Sequence, residues 1–527
     1  MGTYLNPDNI EYIETYNNPI YVDKSLLISH MNARIGTKEK FICVARPRRF
    51  GKSTDATMLL AYYSKGCDST SLFNNLKISK DPSYKKHINK HNIIFIDIME
   101  FYSEFKNIKE MSDYITKILI MEMKLEFPNV LFYDDNNLNL SMRNIYSQTK
   151  ERFILILDEW DCVLRDKEAT EEKKKEFLEF LRKLFKTQPY VELVYMTGIL
   201  PIKKYGDESA LNMFDEVSML DPLGLEEFMG FTEKEVKYLC ETNHMDFKEM
   251  QQWYDGYHFK NGISIYSPRS IVQALIHKEC KSYWTNTGTF GTLKDYIKEN
   301  RDGLKDAVID LLAGKSLTVN TKTFQNDMSK FSSKDDVLTL LIHLGYLSYD
   351  SVQQEVCIPN KEVIDPFVQA VSQLSWGQPS IAFTNSMDLL KATWNLDEDK
   401  VAQYIEEAHL ETSIIQYNDE NALAYTIYFA YIAANNYYTP IRQMPTGEGF
   451  ADIAYIPYDS TYPTIIVELK WQDSPETAIN QIINRKYCHG LKHYKGNILL
   501  VGITYNKDSK NKDYKKHYCK IIKASID

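Results

Sequence analysis

Three groups of residues in this chain have the types and spacing of a chemical site. The first is Arg46-Pro47-Arg48-Arg49-Phe50-Gly51-Lys52-Ser53, set between an apolar run (Phe41 to Ala45) and a helix-like run (Thr54 to Tyr63). A loop of this kind cradles phosphate: backbone N–H groups converge at the helix N-terminus, the lysine reaches the terminal phosphates, and the hydroxyl binds Mg²⁺. On this reading Arg49, Phe50, Gly51, Lys52, Ser53 and Thr54 hold a nucleotide. The general pattern wants glycine where Arg46 stands. The second group, Asp158-Glu159, ends the apolar run Phe153 to Leu157. Asp158 would sit near the Mg²⁺ held by Ser53, and Glu159 would orient or deprotonate an attacking water. The third group is Asp452, Glu468 and Lys470. Period two puts Glu468 and Lys470 on one strand face and Leu469 on the other, towards a core. Two carboxylates are hard oxygen ligands for Mg²⁺ or Mn²⁺, and a lysine beside them can activate water and counter charge on a phosphate. That is the logic of a metal-dependent phosphodiesterase.

Each group has a plainer reading. Gly-Lys-Ser alone fits a basic turn before an amphipathic helix, and Glu-x-Lys fits a same-face ion pair. The loop together with Asp158-Glu159 decides for nucleoside triphosphate binding. At the third group, Asp452 follows a Gly-rich turn (Thr446 to Ala451), and the next helix brings Gln481 and Tyr487, which can face a nucleic-acid backbone. Thr197, at the end of another apolar run, either touches the γ-phosphate or its water, or satisfies a turn.

These residues need elements to position them. Four apolar runs, Phe41 to Ala45, Ile93 to Ile98, Phe153 to Asp158 and Val191 to Thr197, alternate with helical stretches, which predicts βαβ units and a parallel sheet. Asp97 reads as a helix or turn contact. The lead-in Tyr16 to Ser25 reads as a packing segment, with a contact to the nucleotide base as the alternative and Ser25 as a helix cap. Glu168 to Lys186 is an amphipathic helix with a solvated charged face. Beyond Leu223 the pattern is mostly helical: Glu226 to Cys240, an aromatic turn Trp253 to Tyr257, and a helix opening at Ser267 to Ile271. Arg269 there reads as a packed or solvated group rather than a phosphate contact. A helix over Asp335 to Leu344, followed by two short strands (Gly345 to Tyr349 and Glu355 to Pro359), predicts a winged-helix-like piece. Pro379 to Asp397 reads as a domain junction. Beyond it come a helix over Ala422 to Tyr437, strands Asp452 to Ile456 and Thr464 to Lys470, a helix over Pro475 to Tyr487, and strand Ile498 to Ile503. The expected domains are 1–225, 226–378 and 379–527.

Composition bounds the function. A chain of 527 residues with 44% hydrophobic content supports several cores. No apolar run approaches the ~18 residues of a membrane span, and Met1 to Asp8 lacks the basic start and apolar core of a signal peptide. Eight cysteines are scattered without a Cys-x-x-Cys pair, which disfavours a disulfide framework or zinc site and fits a reducing cytoplasm. A net charge of −10 is not that of a protein that coats nucleic acid. It leaves room for a local basic face, and lysines and arginines do accumulate from Arg485 to Lys520, either as such a face or as a solvated tail.

Taken together, the motifs resemble a two-part family: an AAA-ATPase-like domain joined to a PD-(D/E)xK nuclease-superfamily domain. The N-terminal resemblance runs from about Tyr21 to Ser270. It rests on Tyr21-Val22-Asp23-Lys24-Ser25, the loop Arg46 to Ser53, Leu157-Asp158-Glu159, Thr197-Gly198 and Trp253-Tyr254-Asp255-Gly256-Tyr257. The C-terminal resemblance, about Ala422 to Ile522, rests on Gly449-Phe450-Ala451-Asp452, Val467-Glu468-Leu469-Lys470 and Gln481 through Tyr487. In that family arginine at position 46 is normal. The resemblance implies an α/β fold: a P-loop parallel sheet, a helical and winged-helix-like middle, and a restriction-endonuclease-like C-terminal domain. It implies ATP and Mg²⁺ as cofactors, Lys52 and Ser53 on the phosphates and metal, Asp158 and Glu159 as metal and water partners, and Thr197 as a sensor. At the second site it implies Asp452 and Glu468 as ligands and Lys470 as a catalytic group, with DNA as partner, RNA as the alternative, and homo-oligomer formation left open. The family's Gly-Arg-Ala-Asp becomes Gly449-Phe450-Ala451-Asp452 here, which removes a positive group near the site and leaves the ligands intact. Glu420 is the nearby acidic candidate on the preceding helix. The leading reading is an ATP-controlled, Mg²⁺-dependent nuclease. The alternatives are a nucleotide-driven binding module with an inactive nuclease fold, and an ATPase working on proteins.

Overall fold

The first apolar run enters a sheet that is covered on both faces. Four of its five residues, Phe41–Ala45 (β1), are buried. In a computed structural model, the structure describes residues 2–202, 211–283, 297, 302–312, 314–324, 331, 333–373, 378–411, 427–428, 430–446, 449–457, 461–485, 497–506 and 517–524. Its contacts divide the chain into two compact units, Met1–Trp284 with Ser316–Val363, and Thr285–Lys315 with Ile364–Asp527.

In the first unit β1 is joined by Asn92–Asp97 (β2), Phe153–Asp158 (β3), Val191–Gly198 (β4) and Asp215–Val217 (β5). The order is β2-β3-β4-β1-β5 and every pairing is parallel. All six residues of β3 are buried, which is why its sequence is an unbroken apolar run. Each fully buried Ile or Leu there contributes about 1.5–3 kcal/mol relative to exposure. Sheet residues such as Phe153, Leu155 and Met196 share one core with Ile115, Leu119, Phe177 and Leu181 of the helices Ile108–Glu126 and Glu171–Phe185. The register pairs Ala45 with Gly198 and Leu157 with Met196. The loop after β1, the end of β3 and the end of β4 therefore meet at the C-terminal edge of the sheet, where such sheets bind ligands. The helix Lys52–Tyr63 follows the loop and is buried nearly all round.

The first unit departs from expectation at two places. Ser25 does not cap the helix Leu27–Asn32; its hydroxyl accepts the Ile78 N–H at 3.1 Å. The helix expected over Glu226 to Cys240 is a 3₁₀ turn (Glu226–Phe228), a short strand Phe231–Thr232 (β6), and then a helix Glu233–Asn243. Thr232 and Glu235 form a reciprocal capping box, a start signal that overrides the apolar pattern before it. Strands Tyr257–His258 (β7) and Ser264–Tyr266 (β8) complete a small sheet, β6-β8-β7, and the helix Pro268–His277 follows. The helix Lys334–Leu344, opened by a Ser333–Asp336 capping box and stopped by Gly345, leads into the antiparallel strands Ser348–Asp350 (β10) and Glu355–Cys357 (β11). With Leu317–Thr318 (β9) they form a three-stranded wing, so this piece is winged-helix-like.

The second unit holds a mixed sheet: Tyr438–Thr446 (β12), Gly449–Pro457 (β13), Thr464–Trp471 (β14), Ile498–Tyr505 (β15) and His517–Ala524 (β16), in that spatial order. Only β14 and β15 run parallel, and the helix Pro475–Asn484 lies in the crossover that a parallel pair requires. Ile479 and Ile482 of that helix share a core with Ile466, Ile498 and Leu500. Residues of the expected junction form the helix Gln378–Trp394, followed by Glu398–Glu411. Among the described residues no helix is long and apolar enough to cross a membrane, and the seven described cysteines are all free.

Candidate nucleotide and nuclease sites

The loop after β1 is tightly constrained. Gly51 caps the helix Lys52–Tyr63 with φ 89°, a left-handed conformation that glycine adopts without strain. Arg49 takes φ 72° without that licence, and its Nη1 donates to the Tyr283 carbonyl at 2.7 Å. Phe50 is buried edge-on against Tyr257, with ring centroids 5.3 Å apart, so it anchors the loop and leaves its backbone to face a ligand. Arg46, the residue in place of glycine, is fully buried and bonded through Nη1 to Asp55 on the first turn of the following helix. Burial pushes the Asp55 carboxyl up to about 6, against the pull of Arg46. Arg46 thus props the loop from beneath instead of projecting into it. Lys52 donates to the Pro47 carbonyl at 3.2 Å, and burial lowers its ammonium below the ordinary lysine range, against the pull of Glu159, Asp161 and Asp158.

The strand ends face this loop. Asp158 is buried; its Oδ1 accepts the Thr197 hydroxyl and, at 2.9 Å, the Glu159 N–H. Glu159 has φ 48°, a sparsely populated conformation of the kind that clusters at functional sites. Burial raises its carboxyl above the usual range, opposed by Lys52 and Arg165. Arg165 bonds Glu159 through Nη2 and Asp161 through Nε at 3.0 Å. Asp161 in turn accepts the N–H groups of Ile199 (3.0 Å) and Leu200 (2.8 Å), tying β3 to the chain after β4. Asp97 pairs in register with Asp158 and caps the next helix through the Met99 N–H at 2.8 Å, as expected of it.

A cavity of about 700 Å³ opens over these groups. Lys52, Ser53, Thr54, Glu159 and Arg165 contribute charge and hydroxyls to its lining, while Tyr12, Ile20, Tyr21, Val22 and Phe231 contribute aromatic and apolar surface. Tyr12 and Tyr21 are joined hydroxyl to hydroxyl at 2.8 Å. The lead-in segment is therefore cavity wall and not only packing. Arg269, exposed on the first turn of the helix Pro268–His277 as its reading as a solvated group expects, also lines the cavity.

In the second unit Asp452 lies on β13, and Glu468 and Lys470 lie on β14. Asp452 Oδ2 accepts the Leu469 N–H at 2.8 Å, which brings its carboxylate alongside Glu468. Glu468 is buried; its Oε1 receives Lys470 Nζ at 3.4 Å and the Gln481 amide. Leu469 is buried in the core, as the period predicts. Gln481 points at the carboxylate and not outward to a nucleic-acid backbone. Gly502 stands opposite Glu468 in the β14–β15 register; a Cβ there would come within 2.5 Å of the Pro475 carbonyl. The missing side chain lets the crossover helix sit close enough to deliver Gln481. Among the described residues no cluster of three or more His, Cys, Asp or Glu side chains is gathered for a metal, so the protein offers two carboxylates here. Lys520, read from the sequence as part of a positive face, is paired with Glu398 at 3.2 Å. Lys486, Tyr487, Lys492, Lys495, the lysines from 507 to 516, and Glu420 lie outside the described residues, as does the side chain of Phe450.

Residues 9–206 match the family model described as a predicted AAA-ATPase, and residues 418–515 match that of the PD-(D/E)XK nuclease superfamily. The chain carries an AAA-like ATPase domain and a PD-(D/E)XK superfamily domain. A protein of Azotobacter chroococcum mcd 1, described as "uncharacterized protein in vnfD 5′ region", is 23% identical over 340 residues. That match spans 63% of this chain and 62% of the relative, less than two thirds of the latter's length. Among solved structures, the chain is similar to a Walker-type ATPase of Pyrococcus abyssi (12% identity, 65% of this chain, 94% of that one, TM-score 0.33). It is also similar to the ORC2 protein of Aeropyrum pernix (10% identity, 68% and 97%, TM-score 0.31).

The sequence reading of the AAA-like domain missed Tyr12, Asp161 and Arg165. The last two stand four residues apart, Asp-x-x-x-Arg, on the short turn of helix after β3, and that spacing was the available signal. In the PD-(D/E)XK domain it missed Gly502, whose role is visible only once the crossover helix is in place.

Proposed function

We propose that this protein is an ATP-driven nuclease: its AAA-like domain binds and hydrolyses ATP, and its PD-(D/E)XK domain cleaves phosphodiester bonds in nucleic acid, DNA first. The observation that carries the ATP half is the cavity that Lys52, Ser53, Glu159 and Arg165 share with the Tyr12–Tyr21 pair. Such a lining suits a triphosphate at one part and a purine at another. Lys52 and the backbone of Arg49 to Thr54 hold the phosphates. Glu159, its carboxyl raised by burial, takes the proton of the attacking water, and Arg165 fixes its direction. Arg269 supplies a second cation towards the phosphates.

The donors we assign to a divalent metal are the exposed Ser53 hydroxyl with the Asp158 carboxylate at the first place, and the carboxylates of Asp452 and Glu468 at the second. Bound Mg²⁺ would neutralise phosphoryl charge at either site and lower the pKa of a bound water at the second. Lys470 holds the attacking water and counters charge on the scissile phosphate, while Gln481 keeps Glu468 facing the site. A second reading, a binding module with a silent nuclease fold, is favoured by Phe450 in place of the family's arginine. A panel of single- and double-stranded DNA and RNA, with Mg²⁺ and with or without ATP, separates the two. Cleavage abolished in Lys470→Ala supports the nuclease. Equal products from wild type and Lys470→Ala leave the binding module.

A further inference from the structure

At the N-terminal edge of the parallel sheet, opposite the nucleotide cavity, lies a polar cleft of about 450 Å³. It is separated from the loop edge by the length of β4, roughly 25 Å for its eight residues. Nine residues line it; four are cations, Arg143, Arg182, Lys183 and Lys186, and none is acidic. In a chain of net charge −10 such a concentration needs a reason.

The cleft is braced from beneath. Gln188 is buried; its Oε1 accepts Arg143 Nε at 2.9 Å and its Nε2 donates to the Lys183 carbonyl at 2.7 Å. That fixes the Arg143 guanidinium at an otherwise exposed position. On the other wall the buried Tyr190 hydroxyl bonds Asn139 at 3.2 Å and the Leu184 carbonyl at 2.9 Å. The opposing acid is Glu179, which meets Arg182 at 3.1 Å and Lys183 at 4.0 Å, is 43% exposed, and does not line the cleft. Glu179 offsets part of the charge of Arg182 and Lys183, in exposed pairs whose geometry is weakly held. Lys186 and Arg143 are left to set the field inside.

We propose that this cleft binds phosphate groups, at a site separate from the nucleotide cavity. A cluster of cations, one of them a planar guanidinium held by a buried amide, matches oxyanions carrying several acceptor oxygens. The inference does not depend on ATP hydrolysis or on cleavage. Two sources offer this chemistry, the backbone of a nucleic acid and a free polyphosphate.

The test uses the full chain and two variants: Arg143→Gln/Lys183→Gln/Lys186→Gln, and the charge reversal Lys183→Glu/Lys186→Glu, which leaves Arg143 and Gln188 in place. Circular dichroism and the thermal midpoint establish that both are folded. A fluorescein-labelled DNA duplex is titrated across a range of salt, and tripolyphosphate is titrated by calorimetry. If the backbone is the ligand, both variants bind duplex about tenfold or more weakly, and the slope of log K against log salt falls by about 0.9 for each phosphate that the variant no longer neutralises. If a free polyphosphate is the ligand, duplex binding is unchanged and each variant binds one tripolyphosphate fewer per chain than wild type. Folded variants that match wild type in both titrations overturn the proposal.

Discussion

Gly198 is a closely packed position at the end of β4, and Gly198→Ala tests how the strand ends are held. A Cβ at Gly198 would stand 2.7 Å from Trp160 Nε1, 2.8 Å from Trp160 Cδ1 and 2.8 Å from Asp161 Oδ1. These are far inside ordinary van der Waals separation. None of the three atoms can retreat freely. Trp160 is fully buried and its backbone N–H donates to the Thr197 carbonyl at 3.0 Å. Asp161 is fixed by the N–H groups of Ile199 and Leu200. The new methyl must therefore push the Trp160-Asp161 segment away from β4, and Glu159 precedes it directly. Overpacking of this kind costs about 1–3 kcal/mol of stability. A displacement of ~1 Å at a reacting group lowers turnover by up to about a hundredfold. Lys52, Ser53 and Thr54 belong to the helix after the loop and not to the Trp160-Asp161 segment, so nucleotide affinity should fall less than turnover. ATP turnover, affinity for a fluorescent ATP analogue and thermal unfolding of the variant read the three effects separately. Wild-type turnover in Gly198→Ala, or a fall in affinity as large as the fall in turnover, would refute the reasoning.

Other consequences follow from burial. Gly502→Ala must displace the helix Pro475–Asn484, because the obstructing atom is a backbone carbonyl; we expect a lower thermal midpoint and a loss of cleavage that Gln481→Ala reproduces in kind. Asp55→Ala strands a buried Arg46 and should cost about 3–5 kcal/mol in denaturant unfolding, whereas Arg46→Met/Asp55→Leu should come out near neutral. His343 is buried with neither ring nitrogen bonded, and burial pushes it down to about 4. The unfolded chain therefore takes up a proton that the folded chain refuses. Stability is fully present above about 6.5 and falls as pH drops towards 4, by up to about 1.4 kcal/mol per pH unit. His343→Phe should flatten that slope in thermal melts across the same range.

The legible parts of the fold are those in which burial alone shapes the sequence. Strands β1 to β4 lie within a covered parallel sheet, and each reads as a mostly apolar run. β5 escapes notice because it has three residues and two of them, Asp215 and Glu216, are acidic. β12 is hidden by Pro440 and Pro445, which an edge strand tolerates and an inner one does not. β16, also at an edge, resembles a basic tail because Lys520 and Lys523 follow a lysine-rich stretch of sequence. At the sites, the residues named by motif are visible from type and order alone. What stays hidden in the sequence is what holds those residues: Arg165 on Glu159, Gln481 on Glu468, and Tyr12 against Tyr21. Each is a contact between segments whose approach depends on the rest of the fold. Arg46 is the converse case. By motif it looks like a defect in the loop, and its buried bond to Asp55 makes it the loop's support.

On the proposed reading, one chain couples a nucleotide site to a nuclease site. The direct measurement is the initial rate of cleavage of a DNA duplex at saturating Mg²⁺, with and without ATP, in wild type, Lys52→Ala and Lys470→Ala. ATP should change the wild-type rate, Lys52→Ala should cleave at a rate that ATP no longer alters, and Lys470→Ala should not cleave. Cleavage that persists in Lys470→Ala, or a response to ATP that survives Lys52→Ala, would contradict the coupling.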